Sequence, residues 1–286
     1  MPRILVFNGS PRTAEANLVA AGSASYFDLF RSALGNTGDH AKSIDVVELR
    51  VADAERLPSG TSFGEFDGVW VSGSPLNAYR LDQPSVREQI ELVREIWNAG
   101  VPAFGSCWGL QVMAAALGGS VRLNPNGREI GIARTITLSE AGRQHRMYVG
   151  KSAAFDAPCI HEDEVASLPS CATVLASNEM SRVQAVAFQD GPRCFWGVQY
   201  HPEFVLSTLA AIMSTRVDRH LAEGLAASEG AVAAIVADYR ALDADPQRKD
   251  LAWRYGVGAD VLDPVRRTIE FRNWLSEIVL PRAAQR

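Results

Sequence analysis

The sequence is poor in cysteine, and its four cysteines are far apart: Cys107, Cys159, Cys171 and Cys194. No two of them form the close pair C-x-x-C, so the sequence favours neither a zinc site nor a disulfide framework. A chain with few, scattered cysteines is typical of a reducing compartment, and we expect the cytoplasm. Cys159, Cys171 and Cys194 are predicted to be small core residues.

Two further absences and the net charge each argue against a class of protein or partner. No apolar run is long enough to span a bilayer, and the first apolar stretch is too short for a signal peptide. The formal net charge of −5 disfavours nucleic acid and anionic membranes as partners. The phosphate-binding pattern G-x-x-x-x-G-K-[ST] is missing, so no nucleotide-dependent synthetase domain is predicted.

The first part of the chain alternates short apolar runs with segments of helical periodicity. Strands are predicted at 3–7, 44–49, 66–71 and 101–106, and helices at 18–34 and 84–99. This alternation predicts parallel βαβ units in an open, mostly parallel sheet with helices on both faces. Ligands of such sheets bind beyond the carboxyl ends of the strands.

The pattern changes to β after residue 121 and to helix after residue 205. Further strands are predicted at 130–138, 173–176, 183–188 and 196–204, and helices at 206–225, 231–242 and 263–278. The middle strands predict a mixed or antiparallel extension of the sheet. The sequence therefore predicts a core of residues 1–205 with a helical extension, 206–286, packed on it. The alternatives for the extension are a docking surface for another protein and a lid on the site.

The stretch Val101–Gln111 has the features of a nucleophile elbow. An apolar strand leads to Cys107, a helix follows, and Gly105 and Gly109 flank the cysteine. In an elbow the nucleophile lies on a strained turn, and the flanking glycines avoid clashes with neighbouring backbone. We expect the helix N-terminus to lower the thiol pKa from its reference of about 8.5. By itself, G-x-C-x-G fits a buried cysteine in a tight turn equally well.

A second apolar strand ends at His201, Pro202 and Glu203. A thiol nucleophile needs a base within hydrogen-bond reach, and the base needs an acceptor that orients it. His201 and Glu203 are two residues apart, so in extended chain their side chains leave the same face. Pro202 also biases His201 away from helix.

Together the two motifs resemble those of class I, triad-type glutamine amidotransferases. The matching segments are Gly105–Gln111 and Gln199–Glu203. The resemblance implies a flavodoxin-like α/β fold and a catalytic triad of Cys107, His201 and Glu203. The resemblance is strongest to stand-alone proteins that are similar to the glutaminase domain of GMP synthetase.

The resemblance also implies residues around the pocket. The amides of Gly73 and Trp108 are predicted to form the oxyanion hole. Substrate-binding positions are predicted at Gln111, Glu129, Ile130, Gly131 and His161. Two positions depart from the family pattern: Ser106 replaces a β-branched apolar residue, and Trp108 is larger than usual, which could narrow the pocket.

The leading hypothesis is a glutaminase reaction. Cys107 attacks the side-chain amide of glutamine, and water releases glutamate from a γ-glutamyl thioester. The ammonia passes to an acceptor or to a separate synthetase subunit. One alternative is a γ-glutamyl peptidase or hydrolase that uses the same triad. The other is a non-catalytic binding module.

We predict no metal and no cofactor, and a homo-oligomer is possible. The loop Asn8–Arg12 follows the first strand and contains one glycine. Such a loop before a helix can bind phosphate, so a flavin or phosphate site is the rival to plain turn chemistry.

Overall fold

The computed structural model describes residues 1–38 and 43–286. The strands are β1 (Arg3–Phe7), β2 (Asp45–Leu49), β3 (Gly68–Val71), β4 (Ala103–Ser106), β5 (Ser120–Leu123), β6 (Glu129–Leu138), β7 (Ala154–His161), β8 (Asp163–Ser167), β9 (Ala172–Ser177), β10 (Ala185–Asp190) and β11 (Arg193–Val198). Their lengths of four to ten residues are ordinary for a globular protein.

Nine of these strands form one sheet in the order β2-β1-β3-β4-β11-β10-β9-β6-β7. The strands from β2 to β11 are parallel to their neighbours. From β11 through β10, β9 and β6 to β7 the pairing is antiparallel. The parallel half has the strand order of flavodoxin-like sheets. The predicted parallel core and its β extension are therefore confirmed, and β5 and β8 form a separate ribbon.

The helices are α1 (Arg12–Ala20), α2 (Tyr26–Gly35), α3 (Pro84–Asn98), α4 (Trp108–Ala116), α5 (Glu140–Gln144), α6 (Leu206–Ser214), α7 (Val217–Ala222), α8 (Glu229–Ala244), α9 (Lys249–Arg254), α10 (Ala259–Leu262), α11 (Pro264–Arg267), α12 (Ile269–Trp274) and α13 (Leu280–Ala284). Because side chains alternate along a strand, Ile4 of β1 packs in one core with Phe30 of α2. Leu5 packs in the other core with Val93 of α3. Helices therefore cover both faces of the sheet, as predicted.

Three predicted helices are interrupted. The helix predicted at 18–34 is two helices, because Gly22 turns the chain at a φ of 95° and Ser25 accepts a hydrogen bond from Asp28 N–H to start α2. The segment 206–225 divides into α6 and α7. The segment 263–278 consists of α11, α12 and a π-helical turn at Leu275–Val279.

The last helices pack on the sheet rather than away from it. The Phe271 ring of α12 lies 4.7 Å from that of Phe104 in β4 and 5.7 Å from that of Phe30 in α2, measured between centroids. These aromatic contacts lie in the same core as the strands. The division into two domains at residue 205 stays a prediction. Within the described residues, no helix has the length and apolar character needed to cross a membrane.

A buried polar network links α12 to the residue before His201. Glu270 is fully buried, and its carboxylate lies 2.9 Å from Lys151 Nζ. The Tyr200 hydroxyl donates to Glu270 at 2.7 Å, and the Tyr148 hydroxyl lies 2.8 Å from that of Tyr200. Burial raises the pKa of Tyr200 well above its usual value, so the hydroxyl stays protonated and able to donate.

We expect Glu270→Gln to lower the free energy of unfolding by about 3–5 kcal/mol, because it leaves the Lys151 ammonium buried without a counter-charge. The double variant Glu270→Gln/Lys151→Met removes both charges and should recover part of that loss. Urea unfolding of the wild type and both variants measures the effect. A double variant no more stable than the single one would contradict this account.

Candidate active site

Cys107 lies between β4 and α4 in a strained backbone conformation. Its φ is 50° and its ψ is −100°, in a region that residues with a side chain rarely occupy. The Cys107 N–H donates to the carbonyl of Val198 at 2.7 Å. Val198 is the last residue of β11, so one hydrogen bond ties the elbow to the strand that leads to His201.

The two glycines beside Cys107 are required by close backbone packing. A Cβ at Gly109 would lie 2.5 Å from the carbonyl oxygen of Val71. A Cβ at Gly105 would lie 2.7 Å from the backbone of Gly109. Both distances are shorter than van der Waals contact. The prediction that these glycines avoid backbone clashes is confirmed.

His201 and Glu203 are hydrogen-bonded to each other. His201 Nδ1 lies 2.7 Å from Glu203 Oε1, and both side chains are buried. They do not extend a strand, because β11 ends at Val198 and Phe204 N–H donates to the carbonyl of His201 in a turn. The turn, rather than strand alternation, brings the two groups together. The His201 ring also stacks on Phe204, with centroids 3.8 Å apart.

The second oxygen of Glu203 has its own partner. The Ser106 hydroxyl donates to Glu203 Oε2 at 3.0 Å, and Trp70 Nε1 lies 3.4 Å from the Ser106 hydroxyl oxygen. Sequence reasoning noted Ser106 as a departure from the family pattern but gave it no role. The available signal was a polar residue inside a buried strand, directly before the predicted nucleophile Cys107. Ser106 helps to orient the carboxylate that holds His201.

Cys107 and His201 line the same cavity, which has a volume of about 360 Å³. The cavity lies at the carboxyl ends of the parallel strands, where ligands bind in such sheets. Its other walls include α1, the loop after β3, the end of β7 and the junction of α6 and α7. The lining residues that matter for the function are Ser10, Leu18, Tyr26, Asn77, Gln111, Arg128, His161, Glu162, Asp163, Ile212, Arg216 and Arg219.

The Cys107 thiol is neutral in the resting site. Burial and, after it, the carboxylates of Glu203 and Asp163 together raise its pKa to about 12, against a smaller lowering by the Trp108 N–H. The first N–H of α4 lowers this pKa, as expected, but burial and the two carboxylates outweigh it, so the net shift is upward. A thiol with a raised pKa needs a base to act as a nucleophile, and His201 is a candidate base that lines the same cavity.

Alkylation of Cys107 should follow this raised pKa. We expect its rate with iodoacetamide to rise about tenfold per pH unit from pH 7 to 10 without levelling off, because only the thiolate reacts. Peptide mass spectrometry separates Cys107 from the other cysteines, and the urea-unfolded chain is the control, where the rate should level off near pH 8.5. A plateau below pH 8 in the folded protein would contradict the raised pKa.

The predicted oxyanion donors, Trp108 and Gly73, lie beside Cys107 and His201. Trp108 is the first residue of α4, where N–H groups lack intrahelical acceptors. Gly73 lies against the histidine, because a Cβ there would be 2.8 Å from His201 Cε1. The Trp108 ring does not narrow the cavity. It is fully buried in the core with α3, where its Nε1 donates to Gln89 at 2.8 Å.

The predicted substrate-binding residues divide into two groups. Gln111 and His161 line the cavity, and Gln111 Nε2 donates to the carbonyl of Asp163 at 3.3 Å. Glu129 lies 2.8 Å from the Nε2 of His161, on the far side of that ring. Glu129 and Ile130 line a separate groove along β6. Gly131, at a φ of 89°, faces the Tyr239 hydroxyl. Their roles in binding substrate stay predictions.

Two cavity-lining oxygens have no partner within residues 1–38 and 43–286: Ser10 Oγ and Asp163 Oδ1. Both residues are buried, so the unmade hydrogen bonds are costly unless a ligand supplies them. The other oxygen of Asp163 accepts from Asn77 at 2.7 Å. Burial raises the pKa of Asp163. Neither Ser10 nor Asp163 is among the site residues predicted from the sequence.

The loop Asn8–Arg12 does not offer a phosphate site. Gly9 N–H already donates to Ser72 Oγ at 3.0 Å, and Ser10 N–H donates to Asn8 Oδ1 at 3.0 Å. The Asn8 amide donates to the carboxylate of Glu48 at 2.8 Å. Occupied amides and an adjacent carboxylate disfavour an anion, so the flavin or phosphate rival is not supported. Among the described residues, no cluster of His, Cys, Asp and Glu could hold a metal ion.

Comparison with known families identifies the lineage of this chain. The family model described as glutamine amidotransferase class-I matches residues 25–217, more than half of the sequence. The chain belongs to the class-I glutamine amidotransferase family. The resemblance to class I glutamine amidotransferases that the two motifs indicated is therefore confirmed for the family.

Relatives of this amidotransferase-family chain differ in how much of it they cover. A γ-glutamyl-L-1-hydroxyisopropylamide hydrolase of Pseudomonas sp is 28% identical over 287 residues, covering 99% of this chain and 95% of the hydrolase. The GMP synthase of Streptomyces avermitilis is 37% identical over 141 residues, covering 49% of this chain and 24% of the synthase. A solved glutamine amidotransferase from Thermotoga maritima has a TM-score of 0.64 at 19% identity, covering 95% and 98% of the two chains, which confirms the fold.

Proposed function

We propose that this class-I amidotransferase-family protein hydrolyses γ-glutamyl amides, glutamine included, through a thioester on Cys107. The observation that carries the proposal is the shared cavity, where a buried thiol and a carboxylate-held imidazole face the same space. The similarity of nearly the whole chain to a hydrolase named for a γ-glutamyl amide supports the same substrate class. The scattered cysteines support the cytoplasm as its compartment.

In the proposed mechanism, Cys107 Sγ attacks the γ-carbonyl carbon as His201 Nε2 takes the thiol proton. Nε2 is the nitrogen that takes this role, since Nδ1 is held by Glu203. The amides of Trp108 and Gly73 stabilise the oxyanion of the tetrahedral intermediate. When the C–N bond breaks, the imidazolium returns its proton to the leaving amine. Water then attacks the thioester with His201 as base and releases glutamate.

A second candidate is glutamine hydrolysis that feeds ammonia to a separate synthetase subunit. The observation that favours it is the 37% identity to a GMP synthase over 141 residues. The two candidates share the triad and the thioester. They differ in the leaving group that the cavity accepts and in the need for a partner.

The experiment is to measure glutamate release by the purified chain from glutamine, a γ-glutamyl alkylamide and a γ-glutamyl dipeptide. Asparagine and an α-glutamyl dipeptide are the matched controls, and neither should be cleaved. Added hydroxylamine should divert the thioester to γ-glutamyl hydroxamate. If no γ-glutamyl compound releases glutamate, the proposal is wrong. Glutamine hydrolysis that appears only with cell extract would favour the synthetase partner.

A further inference from the structure

The junction between α6 and α7 carries an arginine whose charge is unmatched. Arg216 lines the cavity that contains Cys107. Within the described part of the chain, its guanidinium forms no hydrogen bond or ion pair with another side chain. Burial lowers its pKa and the charges of Arg128 and Arg219 lower it further, against opposing effects of Tyr26 and Glu162. A partly buried guanidinium without a counter-ion is costly, so this position favours an incoming anion.

The neighbouring arginines do not share this property. Arg128 Nε lies 2.8 Å from Glu223, and Arg128 also pairs with Glu162. Arg219 pairs with the same two carboxylates. The hydrogen bond from Arg128 holds the pKa of Glu223 at about 2, so it stays ionised. Glu162 and Glu223 therefore carry two negative charges beside three guanidiniums, and both form their ion pairs with Arg128 and Arg219. The excess positive charge is that of Arg216.

The position of Arg216 indicates which part of the substrate it meets. Arg216 interacts electrostatically with Tyr26. The Tyr26 hydroxyl would lie 3.2 Å from a Cβ placed on Gly73. The same Cβ would lie 2.8 Å from His201 Cε1, so Tyr26 and His201 flank Gly73. In the mechanism above, His201 protonates the leaving amine. Arg216 therefore belongs to the wall that faces the leaving group.

A second set of cavity-lining residues, Gln111, His161 and Asp163, suits the γ-glutamyl part of the substrate. Among the described residues Asp163 Oδ1 has no hydrogen-bond partner, and an α-amino group would satisfy it. Leu18 and Ile212 add apolar surface to the cavity. An aliphatic leaving amine that also carries a negative charge fits both features.

Resting on the proposed function, we infer that this enzyme selects γ-glutamyl amino acids, and that Arg216 binds the carboxylate of the leaving amino acid. Arg216 is a specificity-determining residue in this assignment and takes no part in the bond-breaking step. A guanidinium suits the role because its paired N–H groups match the two oxygens of a carboxylate.

The test compares γ-glutamyl-alanine with γ-glutamyl-alaninol, which differ only by carboxylate against hydroxymethyl. We expect kcat/KM of the wild type to favour the alanine compound by at least about tenfold. Arg216→Gln should lower kcat/KM for that compound by about 10- to 100-fold, mainly through KM, and bring the ratio of the two substrates close to one. Arg216→Lys should restore part of the preference. The matched control is Arg248→Gln, which removes an exposed arginine outside the cavity.

Three results would overturn the inference. One is a wild type with no preference between the two substrates. Another is an equal loss on both substrates in Arg216→Gln, which would place the arginine on the shared γ-glutamyl part. The third is hydrolysis of neither compound. Glutamine is tested in parallel to distinguish failure of the inference from failure of the proposed function. Hydrolysis of glutamine alone contradicts the inference and leaves the proposed function standing. Absence of all three activities contradicts both.

Discussion

Replacing Cys107 by alanine is expected to lower hydrolysis of γ-glutamyl amides by on the order of 10⁴-fold or more, since no other group can form the thioester. Cys107→Ser should be nearly as inactive, because the hydroxyl is a much weaker nucleophile with the same base. Glutamate release under saturating substrate measures the loss. Circular dichroism and thermal unfolding should show that both variants keep the fold, because the sulfur faces a cavity.

The matched control is Cys171→Ala, which removes a partly exposed thiol outside the cavity. Its rate should equal that of the wild type, so loss of a thiol as such is not the cause. The covalent step has its own readout, because hydroxylamine should yield no γ-glutamyl hydroxamate with Cys107→Ala. Turnover by Cys107→Ala above a few per cent of the wild-type rate would contradict the mechanism.

Removing the imidazole is expected to cost nearly as much. His201→Ala should lower kcat by about 10²–10⁴-fold, because the thiol of raised pKa then has no base and the leaving amine no acid. Glu203→Ala should cost less, since an orienting group is partly replaceable. Ser106→Ala should cost least, because it removes one hydrogen bond to Glu203 and touches neither the thiol nor the ring.

The order of these three losses is the measurement that matters, and kcat for glutamine or a γ-glutamyl amide supplies it. Thermal unfolding of each variant is the control, because Glu203 is buried and its loss also affects stability. A Ser106→Ala variant less active than Glu203→Ala would contradict the assignment of Ser106 as a support for the carboxylate. A fully active His201→Ala variant would remove His201 from the mechanism.

The fold could be predicted from the sequence because the patterns that specify its strands and helices are local. Continuous apolar runs such as Arg3–Phe7 predict strands buried on both faces, and helical periodicity between such runs predicts parallel pairing. The helix boundaries were less accessible. The break between α1 and α2 depends on Gly22 and on the cap at Ser25, which compete with an otherwise continuous helical pattern.

The sequence by itself was enough to predict the proposed reacting groups, because Cys107 and the pair His201 and Glu203 each belong to a short, recognisable motif. Only the tertiary structure decided the state of the thiol, the bond from Ser106 to Glu203 and the place of Arg216 in the cavity. Protonation and charge pairing depend on burial and on groups brought together from distant parts of the chain, and a linear pattern records neither.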